Sequence, residues 1–126
     1  MALKRKSYKI TCSLEEGYES DSRLHTRCEV AKIIGNWLTE RLQTNQSIIT
    51  GLLQEGTLFF PSKASDNELV TVSPTIIYTG ELSSAEDLKR EDTEVKRSLE
   101  ALAKALKESL RQESVFIVYQ DENWCV

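Results

Sequence analysis

Val95-Lys-Arg-Ser-Leu99-Glu-Ala-Leu102-Ala-Lys-Ala-Leu106-Lys-Glu-Ser-Leu110 decides the fold, together with the run Val115-Phe-Ile-Val-Tyr119 that follows it. The apolar positions 95, 99, 102, 106 and 110 recur at spacings of three and four, the period of a helix with one buried stripe. The other side carries Lys96, Glu100, Lys104, Lys107 and Glu108, with Glu100 four residues before Lys104 in the favourable order. The β-branched and aromatic residues from Val115 to Tyr119 predict a strand directly after this helix.

Upstream, Tyr8, Ile10, Cys12 and Leu14 alternate with Lys9, Thr11 and Ser13, which predicts a first strand with one buried face. Asp21 or Ser22 offers a cap for a first helix, whose apolar positions Cys28, Ala31, Ile34, Leu38 and Leu42 are widened by Val30, Ile33 and Trp37. That helix is expected to end near Thr44 and Asn45. An extended segment follows over Ile48 to Leu53, with Gly51 and Gly56 permitting a bulge or turn before Thr57 to Phe60. Pro61 to Glu68 has the composition of a loop. The return strand over Leu69 to Val72 and Thr75 to Thr79 is expected to break at Pro74, which has no N–H to give a ladder.

The element order predicts an α+β, ferredoxin-like β-α-β-β-α-β sandwich: an antiparallel four-stranded sheet, first and third strands central, with two helices on one face. A length of 126 residues suits a single domain over 1–126 that buries a core without metals or disulfides. The net charge of -4 counts against a nucleic-acid binder that works by neutralising phosphates. No stretch is long and apolar enough for a membrane span, and the basic start lacks the apolar core of a signal peptide. Cys12, Cys28 and Cys125 have neither a disulfide nor a zinc-site spacing, which points to a reducing cytoplasm.

His25 is the only histidine, which removes metal sites needing two and dyads using a separate histidine base. With Arg23 and Arg27 it forms a candidate binding group at the start of the first helix, against the plainer expectation of a solvated side chain. Glu15, Glu16, Glu19 and Asp21 read as a hydrated acidic loop, since their spacing fits no calcium loop. Cys12 and Cys28 read as inert small hydrophobes, and Cys125 as open. Tyr78 and Tyr119 are candidate polar groups of an apolar pocket. No metal ligand set, cofactor loop or catalytic motif is present, so neither a metal nor a cofactor is expected.

Both faces of the strands are apolar: Ile76 is followed by Ile77, and Phe116 and Val118 alternate with Val115, Ile117 and Tyr119. Two helices cover one face only, so Ile76, Phe116, Val118 and Trp124 are candidate interface residues on the helix-free face. Trp124 is expected to dock there or across an oligomer interface.

At Arg111-Gln-Glu-Ser-Val-Phe-Ile-Val118 the sequence resembles a family of small bacterial proteins, many with a lipoprotein or secretion signal, that carry a Gln-Glu-Ser-Val step opening the last strand. The resemblance covers the C-terminal half and implies a ferredoxin-like fold, with no catalytic residue to transfer. The leading expectation is therefore a non-enzymatic binding or regulatory protein acting as a homo-oligomer through the helix-free sheet face. Alternatives are a small-molecule enzyme or carrier of the dimeric ferredoxin-like type, and a phage or mobile-element inhibitor that docks on a host defence protein.

Overall fold

A computed structural model of the chain describes residues 5–17, 23–61 and 70–126. In chain order they form β1 (Lys6–Ser13), α1 (Arg27–Gln43), β2 (Leu52–Pro61), β3 (Val70–Leu82), α2 (Asp92–Ser109), β4 (Phe116–Tyr119) and β5 (Glu122–Cys125), with a short 3-10 turn at Asp87–Lys89. All five strands make one antiparallel sheet in the order β2-β3-β1-β4-β5. The α+β class stands, but the expected four strands are five. Glu122–Cys125 pairs back on β4 instead of trailing as a tail. Gln120 closes that hairpin with φ 54, a left-handed conformation that a two-residue turn needs. Gln-Asp carries none of the Asn-Gly signal that usually announces such a turn.

The stripe of α2 is buried as its spacing requires: Val95, Leu99, Leu102 and Leu106, with Leu110 just beyond the helix, share one core with Tyr8, Ile10, Cys12, Ile117 and Tyr119. The stripe of α1 is rotated from expectation. Val30 and Ile34 are buried, Ile33, Trp37 and Leu38 pack partly, and Cys28, Ala31 and Leu42 are exposed. The helix begins at Arg27, capped by Thr26, whose hydroxyl accepts a hydrogen bond of 3.2 Å from the Glu29 N–H. The expected caps Asp21 and Ser22 lie outside the described residues, as does most of the expected Pro61–Glu68 loop. The expected end holds, with Thr44 as the C-cap.

β2 runs through Gly56 without a bulge, and β3 runs unbroken through Pro74. The reason lies on the β1 side. β1 pairs with β3 from Lys6↔Leu82 only as far as Ser13↔Thr75, and Leu14 then donates its N–H to the Pro74 carbonyl at 3.0 Å. The carbonyl of Pro74 thus points towards β1, and so would its missing N–H, while the Leu14 carbonyl opposite it accepts from the His25 N–H instead. Val70 to Pro74 pair with β2 alone.

Before β2, Ile49 and its neighbours are pinned from two sides: from the sheet, Tyr78 donates to the Ile49 carbonyl at 2.7 Å and Tyr8 to that of Thr50, and from the turn before α2, Arg90 donates to that of Ile48 at 2.9 Å. A Cβ on Gly80 would lie 2.7 Å from the Thr50 carbonyl oxygen, so this close approach requires glycine.

The strands sort their side chains as the pleat dictates, and this corrects two interface assignments. Phe116 and Val118 do point away from the helices, but Ile76 faces them and is buried. Trp124 also turns towards α2, half-buried, and donates its indole N–H to Glu100 at 3.1 Å. It docks on its own helix and not on the free face. No helix among the described residues is long and apolar enough to cross a membrane.

These assignments predict a contrast between two leucines. Leu99→Ala is expected to cost about 2–5 kcal/mol, as for a core leucine, and Leu42→Ala less than about 0.5 kcal/mol. Urea unfolding of both variants checks it, and equal losses would mean that the helix faces are misassigned.

Candidate functional site

The end of β1 builds the site. After Leu14 the chain leaves the sheet and returns: Glu15 bridges to Leu24, the Glu16 N–H donates to the Arg23 carbonyl at 3.0 Å, and the His25 N–H to that of Leu14 at 2.7 Å. The α2–β4 connection braces this turn, with the Gly17 N–H donating to the Arg111 carbonyl at 3.1 Å and the Gln112 side-chain amide to the Glu15 carbonyl at 2.8 Å.

His25 is thereby carried inside, only 4% exposed, between two carboxylates. Its Nδ1 lies 2.8 Å from Glu29 and its Nε2 3.1 Å from Glu16. Ionised carboxylates only accept, so a ring carrying both N–H groups satisfies both at once. Arg23 reaches the other Glu29 oxygen at 3.2 Å, and Arg111 lies 3.8 Å from Glu16. The His25 hydrogen bond, helped by the nearby Arg23 charge, holds the Glu29 carboxyl below its ordinary range against the opposing effect of desolvation. His25 is neither solvated nor an anion site, since its two partners are themselves anions. It is a clasp between the β1–α1 connection and the first turn of α1.

Beside the clasp lies an open groove of about 380 Å³ between this connection and the middle of β2. Leu14, Leu24 and Pro74 supply apolar walls, and Thr26, Glu55 and Thr57 polar ones, with His25 at its edge. Glu55 is exposed and makes no hydrogen bond or ion pair among the described residues. The register puts Leu53, Glu55 and Thr57 on the side of β2 that faces the helices.

Of the residues singled out from sequence, the structure joins His25 and Arg23 through Glu29. Arg27 is exposed on α1 and takes no part. Tyr78 and Tyr119 are core residues, and neither lines the groove. Burial pushes the Tyr78 phenol up to about 12, and the Tyr119 hydroxyl, raised by burial and by Asp92, donates to that carboxylate at 2.7 Å. Burial also pushes the Cys12 thiol up to about 12, whereas Cys28, expected inside, is exposed, as is Cys125. Sequence reasoning missed Glu16 and Glu29 as partners of His25, and Glu55. The signal for Glu29 was its place four residues after His25 on a helix, and for Glu55 a carboxylate in phase with Leu53 on the inward face of a strand.

No protein-family model matches the chain, and none of the curated proteins matches it. Two solved structures share its fold. A phage SAM lyase in complex with S-methyl-5'-thioadenosine is 15% identical, with a TM-score of 0.66, over 97% of this chain and 88% of that one. A phage SAM lyase in the apo state is 14% identical, with a TM-score of 0.60, over 96% of this chain and 87% of that one. At such identities the likeness is one of fold. It nevertheless corrects the leading expectation of a non-enzymatic binding or regulatory protein, because both of these solved structures are of a lyase.

The clasp gives a pH prediction. Glu29 titrates below its ordinary 4.5 in the folded chain, so its contribution to stability is complete above that value and is lost as pH falls through the lower folded one. Stability measured by urea unfolding is expected to fall as pH drops below about 4.5, and to fall less steeply in Glu29→Gln. Identical slopes in the two proteins would exclude the clasp as a source of acid sensitivity.

Proposed function

We propose that this chain is an enzyme that cleaves a sulfonium nucleoside of the S-adenosylmethionine class, with the groove beside His25 as its substrate site. The observation that carries the reading is the likeness over nearly the whole chain to a phage SAM lyase solved both empty and with S-methyl-5'-thioadenosine. The order β2-β3-β1-β4 we read as a ferredoxin-like sandwich, to which β5 is an added edge strand. The free thiols suit a reducing compartment, and cytoplasm is the proposed one.

The chemistry is consistent with the groove. In such a substrate the sulfur carries a positive charge. Breaking its bond to the amino-acid side chain sends the bonding pair to sulfur, which becomes a neutral thioether, S-methyl-5'-thioadenosine. The four-carbon fragment is completed as its own carboxylate oxygen closes on that carbon while the sulfur leaves, giving a lactone that keeps the ammonium.

Charge on sulfur disappears along this path, so apolar surroundings favour the transition state over the charged substrate. Leu14, Leu24 and Pro74 offer such surroundings. A carboxylate against the sulfur would do the opposite and hold the ground state. Glu55 is therefore placed at the substrate's ammonium, whose charge does not change during the reaction. Its role is binding and orientation, not proton transfer.

Incubating the purified chain with S-adenosylmethionine is expected to release S-methyl-5'-thioadenosine, read by liquid chromatography. Glu55→Gln is expected to raise KM about tenfold, equivalent to about 1.4 kcal/mol, with kcat little changed. No product from the wild-type chain at millimolar substrate would refute the proposal. A fall in kcat alone in Glu55→Gln would refute the role assigned to Glu55.

A further inference from the structure

The clasp at the rim of the groove is complete in one protonation state of its imidazole. Buried His25 has a carboxylate on each ring nitrogen, Glu29 at 2.8 Å from Nδ1 and Glu16 at 3.1 Å from Nε2. An imidazolium has two N–H groups and gives one to each, whereas a neutral imidazole has one N–H and its other nitrogen is an acceptor. When the second proton leaves for solvent, one carboxylate therefore faces a lone pair at hydrogen-bond distance, and that contact turns from attractive to repulsive. The Glu29 contact is the shorter and joins residues four apart, so the remaining proton stays on Nδ1. The Glu16 arm is the one that lets go.

Each carboxylate keeps an arginine after the ring has released it: Glu29 has Arg23 at 3.2 Å, and Glu16 has Arg111 at 3.8 Å. The remaining charges around the ring are Glu15 on the same connection, Arg27 in the first turn of α1, Glu113 beside Gly17, and Glu55 across the groove. All four are exposed, so solvent screens them and the direct contacts decide. Release of Glu16 acts on the rim itself. Leu24, His25 and Thr26 line the groove, and Glu16 is tied to this segment by its own N–H on the Arg23 carbonyl. We infer that His25 is a proton-operated latch on the groove: protonated, it fixes the rim in one position, and deprotonated, it releases Glu16 and lets the rim move. The latch is closed on the acid side of the imidazole titration and open on the alkaline side, opposite in sense to the acid limit set by Glu29. It belongs to the protein alone and is read without substrate, so it stands or falls separately from the proposed reaction.

The test follows the isotopically labelled chain by NMR from about pH 5.5 to about 9, a span that brackets ordinary imidazole ionisation. The ring nitrogen shifts report whether His25 carries one N–H or two. The amide protection factors of Glu16 and Gly17, corrected for the base-catalysed rise in intrinsic exchange, report the rim. They are expected to fall about tenfold as the ring loses its second proton, the scale of one charge-assisted hydrogen bond, while amides in the middle of β1 hold. Glu16→Gln is the decisive variant, since it keeps the side chain's shape. A glutamine amide accepts from a protonated ring and donates to a neutral one, so protection in this variant is expected to change less than about twofold over the same range. A ring that keeps both N–H groups up to about pH 9 would overturn the latch, as would wild-type protection that stays level while the ring titrates. A fall in Glu16→Gln as large as in the wild-type chain would overturn Glu16 as the arm that releases.

Discussion

The mismatch in length between β1 and β3 governs the rest of the molecule. β3 has 13 residues and β1 has 8, so β3 and its partner β2 continue where β1 has stopped. Pro74 sits at that limit and makes it permanent, because its backbone gives β1 no donor to follow. Three things come from this one constraint. The chain after Leu14 leaves the sheet, its return through Leu24 to Thr26 forms the groove with the middle of β2, and the part of the β2–β3 hairpin beyond β1 stays exposed.

The turn at the end of β1 is held by partners from every neighbouring element. Its own backbone closes it at Glu15 and Leu24, the residues after α2 brace it through Arg111 and Gln112, and His25 ties it to α1. A buried imidazole with a carboxylate on each ring nitrogen is satisfied only while all three stay together, so the clasp specifies one geometry for the groove's rim. The walls next to that rim are apolar, and Glu55, the carboxylate among the described residues lining the groove, stands on β2 without a hydrogen bond or ion pair. That combination suits a substrate with one charge to be held and another to be lost.

The sequence made α2 plain because its five apolar positions fit one period and its polar side is continuous, so propensity and packing agree. It made α1 plain in extent but not in orientation. Cys28, Ala31 and Leu42 match the helical period as well as Val30 and Ile34 do, and only the neighbouring β2 and α2 decide which stripe is buried. β5 was missed because four residues containing Glu, Asn and Trp have no alternation to show, and their pairing is fixed by Gln120 adopting a conformation that its side chain does not advertise. Pro74 was read as a break because a sequence shows that a donor is missing but not which side of the strand it would have faced.

The site was less legible still. His25 could be named as a lone histidine, but its burial depends on Glu16, on Glu29 and on a turn closed by backbone bonds that no residue type announces. Glu55 acquires meaning only when the chain returning after Leu14 brings Leu24 to Thr26 against the middle of β2. The most direct measurement of the central claim is a titration of the amide spectrum of the labelled chain with S-methyl-5'-thioadenosine. The account predicts saturable shifts concentrated at Leu14, Leu24 to Thr26 and Glu55 to Thr57, with the free sheet face at Thr11 and Val118 unmoved. Saturable shifts that centre on the free face and leave Glu55 to Thr57 in place would contradict it.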